Sequence, residues 1–184
     1  MQIINWKWLH CVHQLDVRTF LAVCRSPHHS SWSKVARCVS RTADGWLYLL
    51  LPMVARALDM RGAERFVSAL IIALLTERIV YLLAKNGFRR SRPPQAIPGF
   101  CSVIKAADEF SFPSGHTSSA FLLATVSCYW LGNEFLWLYP WACLVGVSRV
   151  VLGVHFPTDI LAGAAMGSLL GLMISAAVAG SHLL

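Results

Sequence analysis

The chain of 184 residues is 56% hydrophobic and only 14% charged, a balance that excludes an ordinary soluble domain and points to a protein whose surface meets lipid. Its formal charge of +7 does not imply a nucleic-acid partner, because the basic residues stand at the ends of apolar runs and not in one continuous stripe. The six cysteines show no C-x-x-C or zinc-finger spacing and read as reduced, structural thiols, and no metal or other cofactor is expected.

Residues 1–24 set Trp, Leu, Val and Phe among charged and histidine positions at roughly helical spacing. This predicts a helix lying in the membrane interface, with Trp6 and Trp8 at headgroup depth, or else a cap over the bundle. The segment lacks the apolar core of a signal peptide and is expected to be retained. Residues 25–34, with Ser26-Pro27-His28-His29, read as a loop whose two histidines are solvated. Residues 1–41 are thus an N-terminal interfacial helix and loop, and residues 42–184 a transmembrane domain.

Apolar runs at about 42–58, 65–84, 116–131, 135–152 and 158–180 predict an all-α, multi-pass transmembrane helix bundle of about five to six spans. Glu77 and Arg78 fall inside the second run, where charge is expensive, and read first as a buried polar contact holding the bundle. The last run carries Gly163, Gly167, Gly171, Ser175 and Ala179 at every fourth position. Such a stripe admits a second helix at close range, within the monomer by default and across a homodimer as the alternative.

With five spans, parity puts three polar segments on one side of the membrane: residues 85–112, the start of the third span, and residues 149–159. Pro157 suits the first turn of a helix, so His155 stands just before that helix and Asp159 within its first turn, carboxylate and imidazole in reach of each other. A carboxylate on one ring nitrogen fixes the tautomer and raises the basicity of the other, as a nucleophilic histidine needs. Phe112-Pro113-Ser114-Gly115-His116 opens the third span, and a helix N-terminus there offers amide donors to an anion. Lys85, Arg92 and Arg149 add three cations, and His116 a second imidazole. Together these groups suit phosphoryl transfer from a monoester or diphosphate.

Lys85-x6-Arg92-Pro93, Pro113-Ser114-Gly115-His116 and Ser148-Arg149-x5-His155-x3-Asp159 resemble the three-part signature of the type 2 phosphatidic acid phosphatase (PAP2) superfamily. The resemblance implies that His155 attacks phosphorus, Asp159 orients it and His116 protonates the leaving oxygen. It further implies that Lys85, Arg92, Arg149, Ser114 and the Gly115 amide hold the phosphoryl oxygens. The expected substrate is a lipid phosphate or diphosphate: polyprenyl diphosphate, phosphatidylglycerol phosphate, phosphatidate or lipid A phosphate. The apolar spans argue against the soluble haloperoxidase branch of that superfamily, and a lipid-phosphate binding or transport protein on the same fold is the rival class.

The expected location is the cytoplasmic (inner) membrane among membrane lipids. The resemblance implies an extracytoplasmic site. Against it, if the N-terminal segment does not cross, Lys7, Arg18, Arg25, Lys34, Arg37 and Arg41 share the active-site side, with only Arg56, Arg61 and Arg65 opposite.

Overall fold

A computed structural model describes residues 6–26 and 28–181, of which residues 6–10 by their backbone alone, so the expected depth of the Trp6 and Trp8 side chains lies outside the described residues. Among the described residues the fold is all-helical, with no strand.

Helix α1 (Trp6–Cys24) turns Asp16 and Phe20, one helical turn apart, into the body of the protein. Phe20 is fully buried, edge-on to Phe156 and Phe100 at centroid distances of 5.4 and 5.0 Å. Val12 and Leu15 stay on the surface, so α1 both covers the bundle and keeps an apolar face outward. Helix α2 (His29–Thr42) corrects the expected loop: residues 29–34 are helical. Ser33, Ala36 and Ser40, at helical spacing, form its buried face, with Ala36 packed in a cluster with Val151 and Leu152. The Ser33 hydroxyl donates to the His29 carbonyl at 2.7 Å, so a serine that favours turns is spent inside the helix. Packing outweighed local preference.

Helix α3 (Trp46–Ala57) buries only Ala55 and exposes Trp46, Leu49, Leu50 and Met53. Helix α4 (Ala63–Phe88) follows a tight turn in which Gly62 takes φ +82°, where a Cβ would stand 2.5 Å from the Trp130 carbonyl oxygen. Its buried stripe runs Phe66, Ala69, Leu70, Ala73, Glu77, Tyr81, Lys85, while Ile71, Ile72, Leu75, Ile79, Leu82 and Leu83 face outward. Small and polar groups inside with large aliphatics outside is the arrangement of a helix bathed in lipid. A single turn, α5 (Pro93–Ala96), leads through an irregular loop to α6 (Gly115–Leu131), which is buried on most sides and forms the axis of the bundle. A 3-10 turn (Asn133–Trp137), α7 (Leu138–Val151) and α8 (Pro157–Gly180) complete the chain.

Helices occur in all five predicted spans, yet among the described residues only α4 and α8 are long and apolar enough by themselves to cross a membrane. The 12 residues of α3 rise about 18 Å, short of the roughly 30 Å hydrocarbon core.

The small-residue stripe of α8 is filled by α6 of the same chain. Gly163, Gly167, Gly171 and Ser175 are its buried face. A Cβ on Gly163 would lie 2.6 Å from the Ser114 carbonyl oxygen, and one on Gly167 only 2.0 Å from that of Ser118. Since both obstacles are backbone, neither can swing aside. Gly167→Ala is therefore expected to destabilise the protein by at least about 2 kcal/mol, read as a lowered unfolding midpoint in detergent. Gly180→Ala, with nothing within 4 Å of the added carbon, serves as control; equal midpoints for the two variants would contradict this packing.

Candidate active site

The N-termini of α6 and α8 meet at one end of the bundle, where the Ser114 amide donates to the Asp159 carbonyl at 3.0 Å. Pro157 occupies the first turn of α8, and the Asp159 carboxylate reaches back to accept the Phe156 amide at 2.8 Å. This closes the helix start and leaves His155 in the preceding turn, 2% exposed. Its Nδ1 faces Asp159 Oδ2 at 3.6 Å, an approach short of a hydrogen bond. Its Nε2 faces Arg92 Nη1 at 3.4 Å. Burial pushes the His155 imidazole down to about 4; Asp159 opposes the shift, and the charges of Arg92 and Arg149 add to it. The ring is thus neutral at physiological pH, with a lone pair to offer.

A cavity of about 530 Å³ opens onto His155 and is also lined by Arg92, Arg149, Gly115, His116, Asp44 and Asp108. Of the sequence-predicted residues, His155, His116, Arg92, Arg149 and Gly115 line it directly. Asp159 stands behind His155, fully buried. Lys85 reaches the cavity wall by donating to Asp108 Oδ2 at 2.7 Å and to the Tyr81 hydroxyl. Ser114 is turned away: its hydroxyl is shared with Thr117 Oγ1 at 2.9 Å and its amide is taken by Asp159, leaving Gly115 as the member of that pair on the cavity.

Three carboxylates and one arginine that sequence reasoning did not select hold these groups in place. Asp108, from the irregular loop, accepts from Lys85, Arg92 and Tyr81, which sets the two cations side by side. Burial alone would raise its carboxyl, but these hydrogen bonds outweigh that and hold it well below the usual carboxylate range. Asp44, in the turn after α2, accepts from His116 Nε2 at 3.0 Å. Asp16 of α1 accepts the Thr158 amide at 3.0 Å and, with its other oxygen, Arg90 Nη2 at 2.5 Å. Arg90 in turn donates to Asp159 Oδ1 at 2.8 Å, so a chain of Asp16, Arg90 and Asp159 ends on the carboxylate beside His155. Arg149 Nη1 donates to Ser40 of α2 at 2.6 Å. The signal for Arg90 was its place two residues before Arg92; that for Asp16 was a lone carboxylate in a helix that otherwise buries aromatic surface.

The group can therefore offer a neutral imidazole nucleophile, a second imidazole, and a cationic wall with a helix start, the set that stabilises charge on a phosphoryl group. Of the two charges read as buried polar contacts in the second run, Glu77 is buried, whereas Arg78 is exposed with its guanidinium 5.2 Å from the Tyr81 ring centroid, and both line the same cavity.

The chain is similar to known proteins. The family model described as PAP2 superfamily matches residues 66–182. Phosphatidylglycerophosphatase B of Bacillus subtilis is 33% identical over 116 residues, 57% of this chain and 54% of that protein, so the chain spans about half the length of that relative. Decaprenylphosphoryl-5-phosphoribose phosphatase of Mycobacterium tuberculosis is 31% identical over 144 residues, 74% of this chain and 73% of the relative. Among solved structures, LpxE of Aquifex aeolicus superposes with a TM-score of 0.73 at 25% identity, covering 87% of this chain and 94% of that one. The transmembrane PAP2-type phosphatidylglycerolphosphate phosphatase of Bacillus subtilis gives 0.69 at 26% identity, covering 90% and 85%. With a family model spanning most of the chain and the signature residues gathered around one cavity, the chain belongs to the PAP2 superfamily.

Proposed function

We propose that this chain is an integral membrane lipid phosphatase that cleaves a phosphate monoester or diphosphate through a phosphohistidine intermediate, its bundle built from α3, α4, α6, α7 and α8. The observation that carries this reading is the setting of His155: a buried, neutral imidazole with one nitrogen toward Asp159 and the other toward Arg92 at a cavity shared with His116. In the first step His155 Nε2 forms a bond to phosphorus as the bond from phosphorus to the leaving oxygen breaks, and His116 gives that oxygen a proton. In the second, water attacks phosphorus, His116 takes the water's proton, and the phosphorus–nitrogen bond breaks to release phosphate and restore neutral His155. Asp159 steadies the imidazole as it becomes positive. Lys85, Arg92, Arg149 and the Gly115 amide supply the charge that a metal gives other phosphatases, so we read the chemistry as metal-independent.

His155→Ala is expected to abolish phosphate release from a lipid phosphate by purified protein, while His116→Ala should slow poor leaving groups more than good ones. Wild-type turnover should survive EDTA. Protonation removes the His155 lone pair, so the acidic limb of kcat/KM that belongs to it should fall near pH 4, well below an ordinary imidazole. Substantial turnover by a well-folded His155→Ala protein overturns the assignment.

The relatives named above act on a glycerol phosphate lipid and on a decaprenyl-linked phosphoribose. Polyprenyl diphosphate, phosphatidylglycerol phosphate, phosphatidate and lipid A phosphate are accordingly the classes to test. We further propose that the site opens on the extracytoplasmic face of the inner membrane. All but Arg25 of the basic residues that argue otherwise sit on α1 and α2, helices packed against the protein body, where a rule that describes loops has least force. In a variant without native cysteines, Ala107→Cys at the cavity rim is expected to react with a membrane-impermeant maleimide in intact cells. Labelling only after permeabilisation would place the site in the cytoplasm.

A further inference from the structure

Glu77, Tyr81 and Lys85 follow one another at successive turns on the buried face of α4. The backbones of Glu77 and Lys85 are about 12 Å apart along the axis, but the Lys85 side chain runs back to the Tyr81 hydroxyl, its Nζ 4.4 Å from the Tyr81 ring centroid, one turn from Glu77. Glu77 lines the same cavity as His155 and His116, and the reaction above gives it no role. It is 6% exposed, and its Oε1 has no hydrogen-bond partner among the described residues. The Ser118 hydroxyl stands beside the carboxyl without closing a hydrogen bond, and the Tyr48 hydroxyl is likewise unpartnered. A carboxyl held without a partner at that depth costs several kcal/mol unless a ligand completes it.

The chemistry of that ligand follows from the wall. Glu77 Oε1 needs a hydrogen-bond donor. Arg78, its guanidinium held over the Tyr81 ring, offers donors on the same cavity, and the ring offers a flat apolar face. An acceptor, a donor and an aromatic face suit a polyol. A second phosphate would instead meet carboxylates, because Asp44 and Asp108 also line the cavity. We infer that Glu77 and Arg78 form the leaving-group subsite, and that it selects lipid phosphates whose leaving alcohol carries a free hydroxyl close to the phosphate ester, as in a glycerol or sugar headgroup. This rests on the phosphatase reading proposed above.

The matched pair that tests it is 1-acylglycerol 3-phosphate and its 2-deoxy counterpart of the same chain length, which differ by one hydroxyl. Wild-type protein is expected to favour the hydroxyl-bearing substrate by about tenfold to a hundredfold in kcat/KM, the scale of one buried hydrogen bond to a charged group. Glu77→Leu should bring that ratio to near one, and Glu77→Gln, which keeps an acceptor at the same size, should retain part of it. Turnover of both substrates with no preference in the wild type overturns the subsite alone. So does a Glu77→Leu or Glu77→Gln protein that loses both substrates in equal proportion, since that marks a structural carboxyl. No turnover of any lipid phosphate overturns the phosphatase reading and the subsite with it.

Discussion

The close contact between α6 and α8 is the constraint on which the rest depends. Three glycines of α8 bring its backbone onto that of α6, so that the two helices start side by side and the Ser114 amide can reach the Asp159 carbonyl. One helix start carries Gly115 and His116, the other His155 and Asp159; without this approach the second and third parts of the signature would face separate regions. Helix α4 then lays its polar stripe along the pair and delivers Lys85 and Tyr81 to the same end. Small residues between helices thus serve two purposes, since in lipid close packing itself drives association, and here it also sets the register of the catalytic groups.

Bringing the buried cations Lys85, Arg92 and Arg149 together raises a second problem, solved by pairing. Asp108 joins Lys85 to Arg92, and Arg90 bridges Asp16 and Asp159. Removing one partner from the more buried of these, Arg90 with Asp16 and Asp159, typically costs about 3–5 kcal/mol, because the other charge is left uncompensated. The same contacts explain why α1 and α2 belong to the working protein: α1 supplies Asp16, α2 supplies Ser40 to Arg149, and the turn after α2 supplies Asp44 to His116.

What could be read from the sequence was local. Pro157 marks the start of α8, and the four-residue spacing of His155 and Asp159 puts them on adjoining turns, with His155 Nδ1 3.6 Å from Asp159 Oδ2. The every-fourth-residue glycines announced a close helix contact. For Asp16 and Arg90 the sequence held only a positional hint and for Asp44 none, because their contacts join positions about seventy residues apart and follow no period. Ser114 shows the limit from the other side: its place in the motif was plain, but the direction of its hydroxyl depends on Thr117 one turn later. In α2 a serine- and histidine-rich stretch suggested a loop, and the buried face against α7 decided for a helix.

The most direct test of the account is to trap the intermediate. In a His116→Ala protein, the group that activates water for the second step is gone, so a lipid phosphate with a good leaving group and a ³²P label should load the enzyme. Alkaline quenching and peptide mapping are expected to find acid-labile, alkali-stable label on the peptide holding His155. Label on a serine or carboxylate, or a phosphate burst with no labelled protein, would contradict a phosphohistidine at His155.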